Sequence, residues 1–372
     1  MANLEEAFER AHPDIDFVHE MLMGNEYDTV LYARDAAGTL PDAFTVFNIG
    51  EAEVMRWAKA GKITSVDNLK VVKQLPEAEK NALTLSNGNI YAVVNSSTAA
   101  GIVYNKELYK KAGITSVPRT LDEMTAACEK LKAAGITPFI AGAKDGWTMG
   151  NQIWKPGLDA VFPYEWNAKR QANEASFHDY GMGMFDFIDL YIANTQSRPL
   201  DADYTTQMAL FAEGDGAMIC QGLWVYNSII SMNPDMESKM GFMPIPFTND
   251  KTKNNLYTQQ ELAWLISASS DIDAVDTFFD FMINSPEGRE IFSRDFAVIN
   301  PYGIGFEPNP VTADALSYIE AGEYMFNHHE NSFPAEFFMV HSSSMQEYMG
   351  GTITKEAILD RMDAKWLEAM SK

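Results

Sequence analysis

The chain has 372 residues, more than one hydrophobic core normally organises, so two domains are expected. Hydrophobic residues make up 46% and charged residues 22%, enough apolar material to offset chain entropy and to exclude wholesale disorder. The 28 basic and 52 acidic residues leave a formal net charge of -24, which excludes nucleic acid and anionic membrane faces as partners and suits a solvated, monomeric surface.

Met1-Ala2-Asn3 runs directly into Leu4, Ala7, Phe8 and Ala11, a helical spacing with no basic start or apolar signal stretch before it. It reads as an engineered start within a longer natural product. His12-Pro13-Asp14 ends this helix, and residues 15–21 alternate as a strand. Residues 27–37 are helical again, and Pro41-Asp42 leads into a short strand, Ala43-Phe44-Thr45-Val46-Phe47, that ends at Asn48 and Gly50. Strands alternating with helices imply an α/β domain with a largely parallel sheet, and ligands collect where such strands end. Phe47 and Asn48 are therefore candidate site residues.

Residues 90–94 form another strand, followed by the small, polar stretch 95–100 and a second strand, Gly101-Ile102-Val103-Tyr104-Asn105. Asn95 to Thr98 either offer hydrogen bonds to a ligand or cross a hinge. Residues 106–112 are helical, and Pro118-Arg119-Thr120 sets up a long helix over 121–134 that Gly135 closes. Thr120 with Glu123 has capping-box spacing: the hydroxyl accepts from the third helical amide while the carboxylate returns to the cap's own N–H. Residues 209–224 read as helix, turn, buried strand and a glycine-broken exit carrying Trp224; residues 241–246 are a strand that its prolines confine to an edge or an end. A strand over 262–266, helices over 274–282 and 286–292, and an amphipathic helix over 356–370 complete the chain, with no repeat, low-complexity segment or apolar run near the ~20 residues that span a membrane.

Catalytic and metal chemistry leave little trace. Cys128 lies on a helical pattern and Cys220 in an apolar strand, so both read as buried free thiols. His328-His329 lacks the spacing of a zinc site, and no cofactor, metal or catalytic residue is expected. There is no Gly-x-Ser-x-Gly elbow, phosphate-binding glycine loop or His-Glu-x-x-His. A glycoside hydrolase needs two carboxylates at a fixed separation, one with a raised pKa, and nothing marks such a pair among 52 acids; that enzyme is the alternative kept open.

Residues 101–113, GIVYNKELYKKAG, followed by Val117-Pro118-Arg119-Thr120-Leu121-Asp122-Glu123, resemble the signature of family 1 extracellular solute-binding proteins of bacterial ABC transporters. Phe211-Ala212-Glu213-Gly214, Ala217-Met218 and Gly222-Leu223-Trp224 are similar to a second block of that family, and Met243-Pro244-Ile245-Pro246 and residues 350–354 to two more. The wording around 105–146 and 221–246 is nearest the raffinose- and melibiose-type branch.

The resemblance implies a two-lobed α/β clamp of the periplasmic-binding-protein type, closing about a hinge that several chain segments cross. Lobe one would hold residues 1–104 and 258–306, lobe two 105–257 and 307–372. It also implies no enzyme but an extracytoplasmic binding subunit, periplasmic or lipid-anchored on a Gram-positive membrane, that passes an oligosaccharide, preferably an α-galactoside, to permease subunits. A polyol or another polar solute is the variant within that class. Family members carry a first strand before the helix that here begins near Leu4, so lobe one is expected to lack a strand.

Sugars are held by aromatic stacking on their C–H faces and by polar side chains around their hydroxyl edges. Trp224, beside Gln221, stands where the family places a stacking tryptophan; the alternative is an ordinary core residue. Trp147 follows a turn signal at a strand end, and Glu261 precedes the strand over 262–266, where a solvated strand entry competes. Phe337 and Phe338 lie in a late segment that supplies cleft aromatics in the family, with core packing as the competing account.

Overall fold

In a computed structural model, which describes all residues except 21, 23–24, 47–50, 76, 78–79, 81–82, 297–307, 330–332, 334–336 and 371–372, the chain divides into two compact units. Unit 1 comprises Met1–Ser97 and Gln260–Pro308; unit 2 comprises Thr98–Gln259 and Asn309–Lys372. The first crossing therefore falls at 97/98 rather than at the expected 104/105. The physical reason is strand β2, Ala92–Asn105, which is one continuous strand instead of two. Its Val93 and Val94 are buried in the core of unit 1, and its Ile102 and Tyr104 in the core of unit 2.

In unit 1 the helix Ala2–Ala11 buries Leu4, Ala7 and Phe8 against the helices Ile272–Asn284 and Pro286–Phe296. Phe8 meets Phe278 and Phe281 edge-on at 5.3 and 5.6 Å, and each such side chain stabilises the unit by about 1.5–3 kcal/mol through burial. Strand β1, Ala43–Val46, pairs antiparallel with the end of β6, Leu256–Ile266, from Ala43↔Ile266 to Val46↔Ala263. The parallel sheet expected here is thus not the observed pairing, because the partner of β1 arrives from far along the chain. Nor do residues 15–20 form a strand. Their exposure alternates as the sequence predicts, with Ile15, Phe17 and His19 half-buried and Asp16, Val18 and Glu20 exposed. A strand also needs a ladder, and the Phe17 N–H instead donates to the Glu9 carboxylate at 3.1 Å.

In unit 2, strand β4, Gly216–Gly222, is buried along its whole length. It runs parallel to β3, Thr137–Phe139, and antiparallel to β2, from Ala100↔Gly222 to Tyr104↔Met218. Strand β5, Met240–Met243, pairs with β2, and Pro244 and Pro246 fall just beyond it, where no ladder bond is lost. Strand β7, Tyr324–Phe326, pairs parallel with the start of β6. The helix Leu121–Ala133 buries Met124, Ala127, Cys128 and Leu131. Thr120 accepts from the Glu123 amide at 3.3 Å as expected, but the Glu123 carboxylate takes the Arg119 N–H at 2.7 Å rather than the cap's own. Both cysteines are buried free thiols, and burial pushes Cys128 up to about 12. Among the described residues no helix is long and apolar enough to cross a membrane.

Candidate functional site

The end of β4 builds one wall of unit 2. Trp224 leaves the strand just after Gly222 and stays half-buried, with its ring folded back over the glycine. A Cβ at position 222 would lie 1.9 Å from Cζ3 of Trp224, so only glycine admits the ring there. The Leu223 N–H donates to the Ala99 carbonyl at 3.1 Å, which holds this exit against β2 beside Thr98.

Three buried oxygen acceptors belong to the elements around that wall. The Gln221 side chain donates through Nε2 to Oε1 of Gln207 at 2.8 Å, and Gln207 donates to the Ile140 carbonyl at 2.8 Å. This chain fixes the Gln221 amide and leaves its Oε1 with no hydrogen-bond partner among the described residues. The Thr98 hydroxyl and Oε1 of Gln152 are likewise buried and unpartnered. Gln152 sits in a π-helical turn, Gly150–Trp154, that packs against β4; such turns recur where a helix is distorted to present a side chain. A buried acceptor without a donor is costly by about 1–3 kcal/mol, and a hydroxyl-bearing ligand supplies donors.

A second aromatic position is held by the turn after β3. Trp147 is half-buried and lies 4.9 Å from the ring of Tyr204, tilted by 56°. Asp145 Oδ2 accepts the Tyr204 amide at 2.9 Å, and Nε2 of Gln346 donates to the carbonyls of Ala143 and Lys144, both at 2.9 Å. The next residue back, Asp203, caps the helix Tyr204–Glu213; hydrogen bonds from Thr206 hold its carboxyl below the usual range.

The sequence-derived candidates fall into three groups. Trp224, Gln221, Thr98 and Trp147 all lie on unit 2 in the positions just described, and Thr98 and Gln221 are fully buried. Phe337 is corrected: it is 1% exposed and packed among Phe177, Phe333 and Trp366, so its ring belongs to the core. Phe47 and Asn48 lie outside the described residues, and so do the side chains of Asn95, Glu261 and Phe338, although β2 and β6 carry the first two. Gln152, Gln207 and Tyr204 went unnoticed in the sequence. Only Asp203, spaced from Thr206 like a helix cap, could have pointed to Tyr204.

Among the described residues the carboxylates with displaced titration, Asp35, Asp203, Asp250, Asp280 and Glu347, are held below the usual range, opposite to what a general acid needs. Among the described residues no cluster of three His, Cys, Asp or Glu is arranged to hold a metal.

The chain is 28% identical over 254 residues to an uncharacterized ABC transporter extracellular-binding protein of Pyrococcus horikoshii, covering 65% of this chain and 56% of that protein. It is 25% identical over 346 residues to the multiple sugar-binding protein of Streptococcus mutans, covering 88% and 80%. To the melibiose/raffinose/stachyose-binding protein MelE of Bacillus subtilis it is 25% identical over 256 residues, covering 65% and 57%. The chain therefore spans little more than half the length of two of these relatives. The solved structure of the SBP RafE in complex with raffinose, 22% identical, shares the fold with a TM-score of 0.81 over 100% of this chain and 96% of that one. A family described as bacterial extracellular solute-binding protein matches residues 1–288, and the chain belongs to that family.

Proposed function

We propose that the protein is the extracytoplasmic binding subunit of an ABC importer, that it captures an oligosaccharide of the α-galactoside type, and that it delivers the sugar to permease subunits without chemical change. The observation that carries this reading is the juxtaposition at the end of β4: a tryptophan seated on a glycine, beside buried acceptors with no donor of their own. A pyranose presents an apolar C–H face to an indole and hydroxyl donors at its edge. Trp224 serves as the stacking platform in this reading, with Trp147 as a second, and Gln221, Gln152 and Thr98 accept from hydroxyls. Phe47, Asn48, Asn95 and Glu261 of unit 1 are the further contacts it includes. The α-galactoside preference is supported by the relatives named for melibiose, raffinose and stachyose.

Isothermal titration with melibiose, raffinose, stachyose, maltose and a polyol tests it, combined with chromatography of the incubated sugar. Binding of the galactosides, recovered intact, is expected, and Trp224→Ala weakens it about tenfold or more. Gly222→Ala does the same by displacing the ring. Release of galactose would replace this reading with a glycoside hydrolase, and exclusive binding of the polyol would replace the ligand class.

A further inference from the structure

The turn that carries Trp147 rests on a side chain from far along unit 2. Gln346, half-buried on the helix Phe337–Met349, donates through Nε2 to the Ala143 and Lys144 carbonyls, both at 2.9 Å. A carboxamide nitrogen has two hydrogens, so this one group bridges two successive peptide units.

The fit is close enough to dictate the residue at 146. A Cβ there would lie 2.9 Å from Oε1 and 3.0 Å from Cδ of Gln346. Yet Gly146 has φ -54° and ψ -29°, right-handed geometry that alanine adopts freely. Glycine is therefore required by the space Gln346 occupies and not by the backbone. Four residues on, Gly150 is covered in the same way by His341 and Ser342, and Ser342 and Gln346 are themselves four apart. Such spacing puts each pair on one helical face, so the helix Phe337–Met349 lies directly on the segment that begins at Gly146.

Other bonds fix the course of the turn. The Lys144 N–H donates to the Ala202 carbonyl at 2.9 Å, the Asp145 carboxylate accepts from the Tyr204 amide at 2.9 Å, and the Thr148 hydroxyl donates to the Gly142 carbonyl at 3.0 Å. These tie it to the start of the helix Tyr204–Glu213 and to itself, whereas the Gln346 bridge ties it to the helix Phe337–Met349. Loss of the bridge leaves the turn formed but free to shift, and a ring one residue past Gly146 shifts with it.

We propose that Gln346 is a positioning residue for ligand binding: by bridging the carbonyls of Ala143 and Lys144 against Gly146, it holds the Trp147 ring where it meets the sugar. The inference rests on the reading of Trp147 as a stacking platform. A ring fixed beforehand escapes the ordering cost that a loose one meets on binding.

Isothermal titration of the full chain with raffinose tests it. Gln346→Glu keeps the shape of the side chain but turns acceptors alone towards two carbonyls, and it is expected to weaken binding about fivefold or more. Gly146→Ala, which displaces the carboxamide without altering it, should do the same. Two combinations separate positioning from general damage to the fold. In a Trp147→Ala background each change should alter affinity by less than about twofold, because the ring it positions is gone. Gly146→Ala added to Gln346→Ala should weaken binding no further than Gln346→Ala alone, because the space for the new Cβ is then open. If Gln346→Glu does not fold, Gly146→Ala and that combination carry the test. Undiminished binding in both single variants, or equal losses with and without Trp147, overturns the proposal while leaving the platform in place. Absence of raffinose binding, or a Trp147→Ala variant that binds as the wild type does, overturns the platform reading itself and this inference with it.

Discussion

Unit 1 and unit 2 are built from the same elements, helices laid on strands, yet they fill their interiors differently. In unit 2 the aromatic residues close on one another: Trp166, Phe177, Phe333, Phe337 and Trp366 pack at 5.0–6.2 Å. Arg170, only 4% exposed, lies 5.1 Å over the ring of Trp366 and pairs with Asp363 at 3.1 Å. In unit 1, Phe8, Phe17 and Phe278 pack on one another too, but border an open apolar space. The contrast teaches that a strand pattern in the sequence is a conditional instruction. It becomes a strand only when a neighbour supplies the ladder, as β2 and β4 do for each other and as nothing described does for residues 15–20.

The comparison breaks most easily at the aromatic cores. Trp366→Ala should cost about 3–5 kcal/mol in denaturant unfolding, because it opens a cavity in a closed core and leaves Arg170 with only the Phe177 ring of its two aromatic faces. Phe278→Ala should cost less, about 3 kcal/mol or below, since one side of that ring already lacks neighbours. Equal losses would mean that the unit 1 cavity is filled in solution.

A smaller effect distinguishes the units by pH. His329, in unit 2, is buried between Asn167 and the Phe162 carbonyl, and burial lowers its pKa from the usual 6.5 to about 4. Between those values the unfolded chain binds a proton that the folded chain refuses, so stability is present above pH 6.5 and falls as pH drops towards 4. The loss is about 2–3 kcal/mol at pH 4, where the folded form begins to take the proton too. Unfolding curves of the wild type and His329→Gln between pH 4 and 7 check this; parallel pH dependence in both would refute the assignment.

The smallest effects should not distinguish the units at all. Thr120→Ala in unit 2 and Asp271→Ala in unit 1 each remove a side-chain cap, and each should cost about 1 kcal/mol because capping is local. A cap worth much more in one unit would show that its helix start is coupled to the core beneath.

Much of the architecture was legible in the chain itself. The apolar spacing of Leu4, Ala7 and Phe8, the Thr120 cap and the Gly135 stop each act within a few residues, so the helices they begin or end can be placed from sequence. Trp224 after Gly222 was legible for a related reason: the glycine and the ring that needs its space are two positions apart. Gln152 and Gln207 were not, because their significance lies in facing Gln221 or packing on its strand from distant parts of the chain. Phe337 was misplaced for the same reason, since an apolar aromatic at the start of a helix reads alike whether it faces a ligand or Trp366.

By itself, the sequence determined the two-unit α/β organisation, the local helix signals, the two buried thiols and the family. Tertiary structure alone decided which strands pair, where the chain crosses between units, which acceptors are left without donors, and that residues 15–20 stay unpaired. The division follows from range: periodicity and capping are interactions over a few residues, whereas ladders and buried polar contacts join segments that only the folded chain brings together.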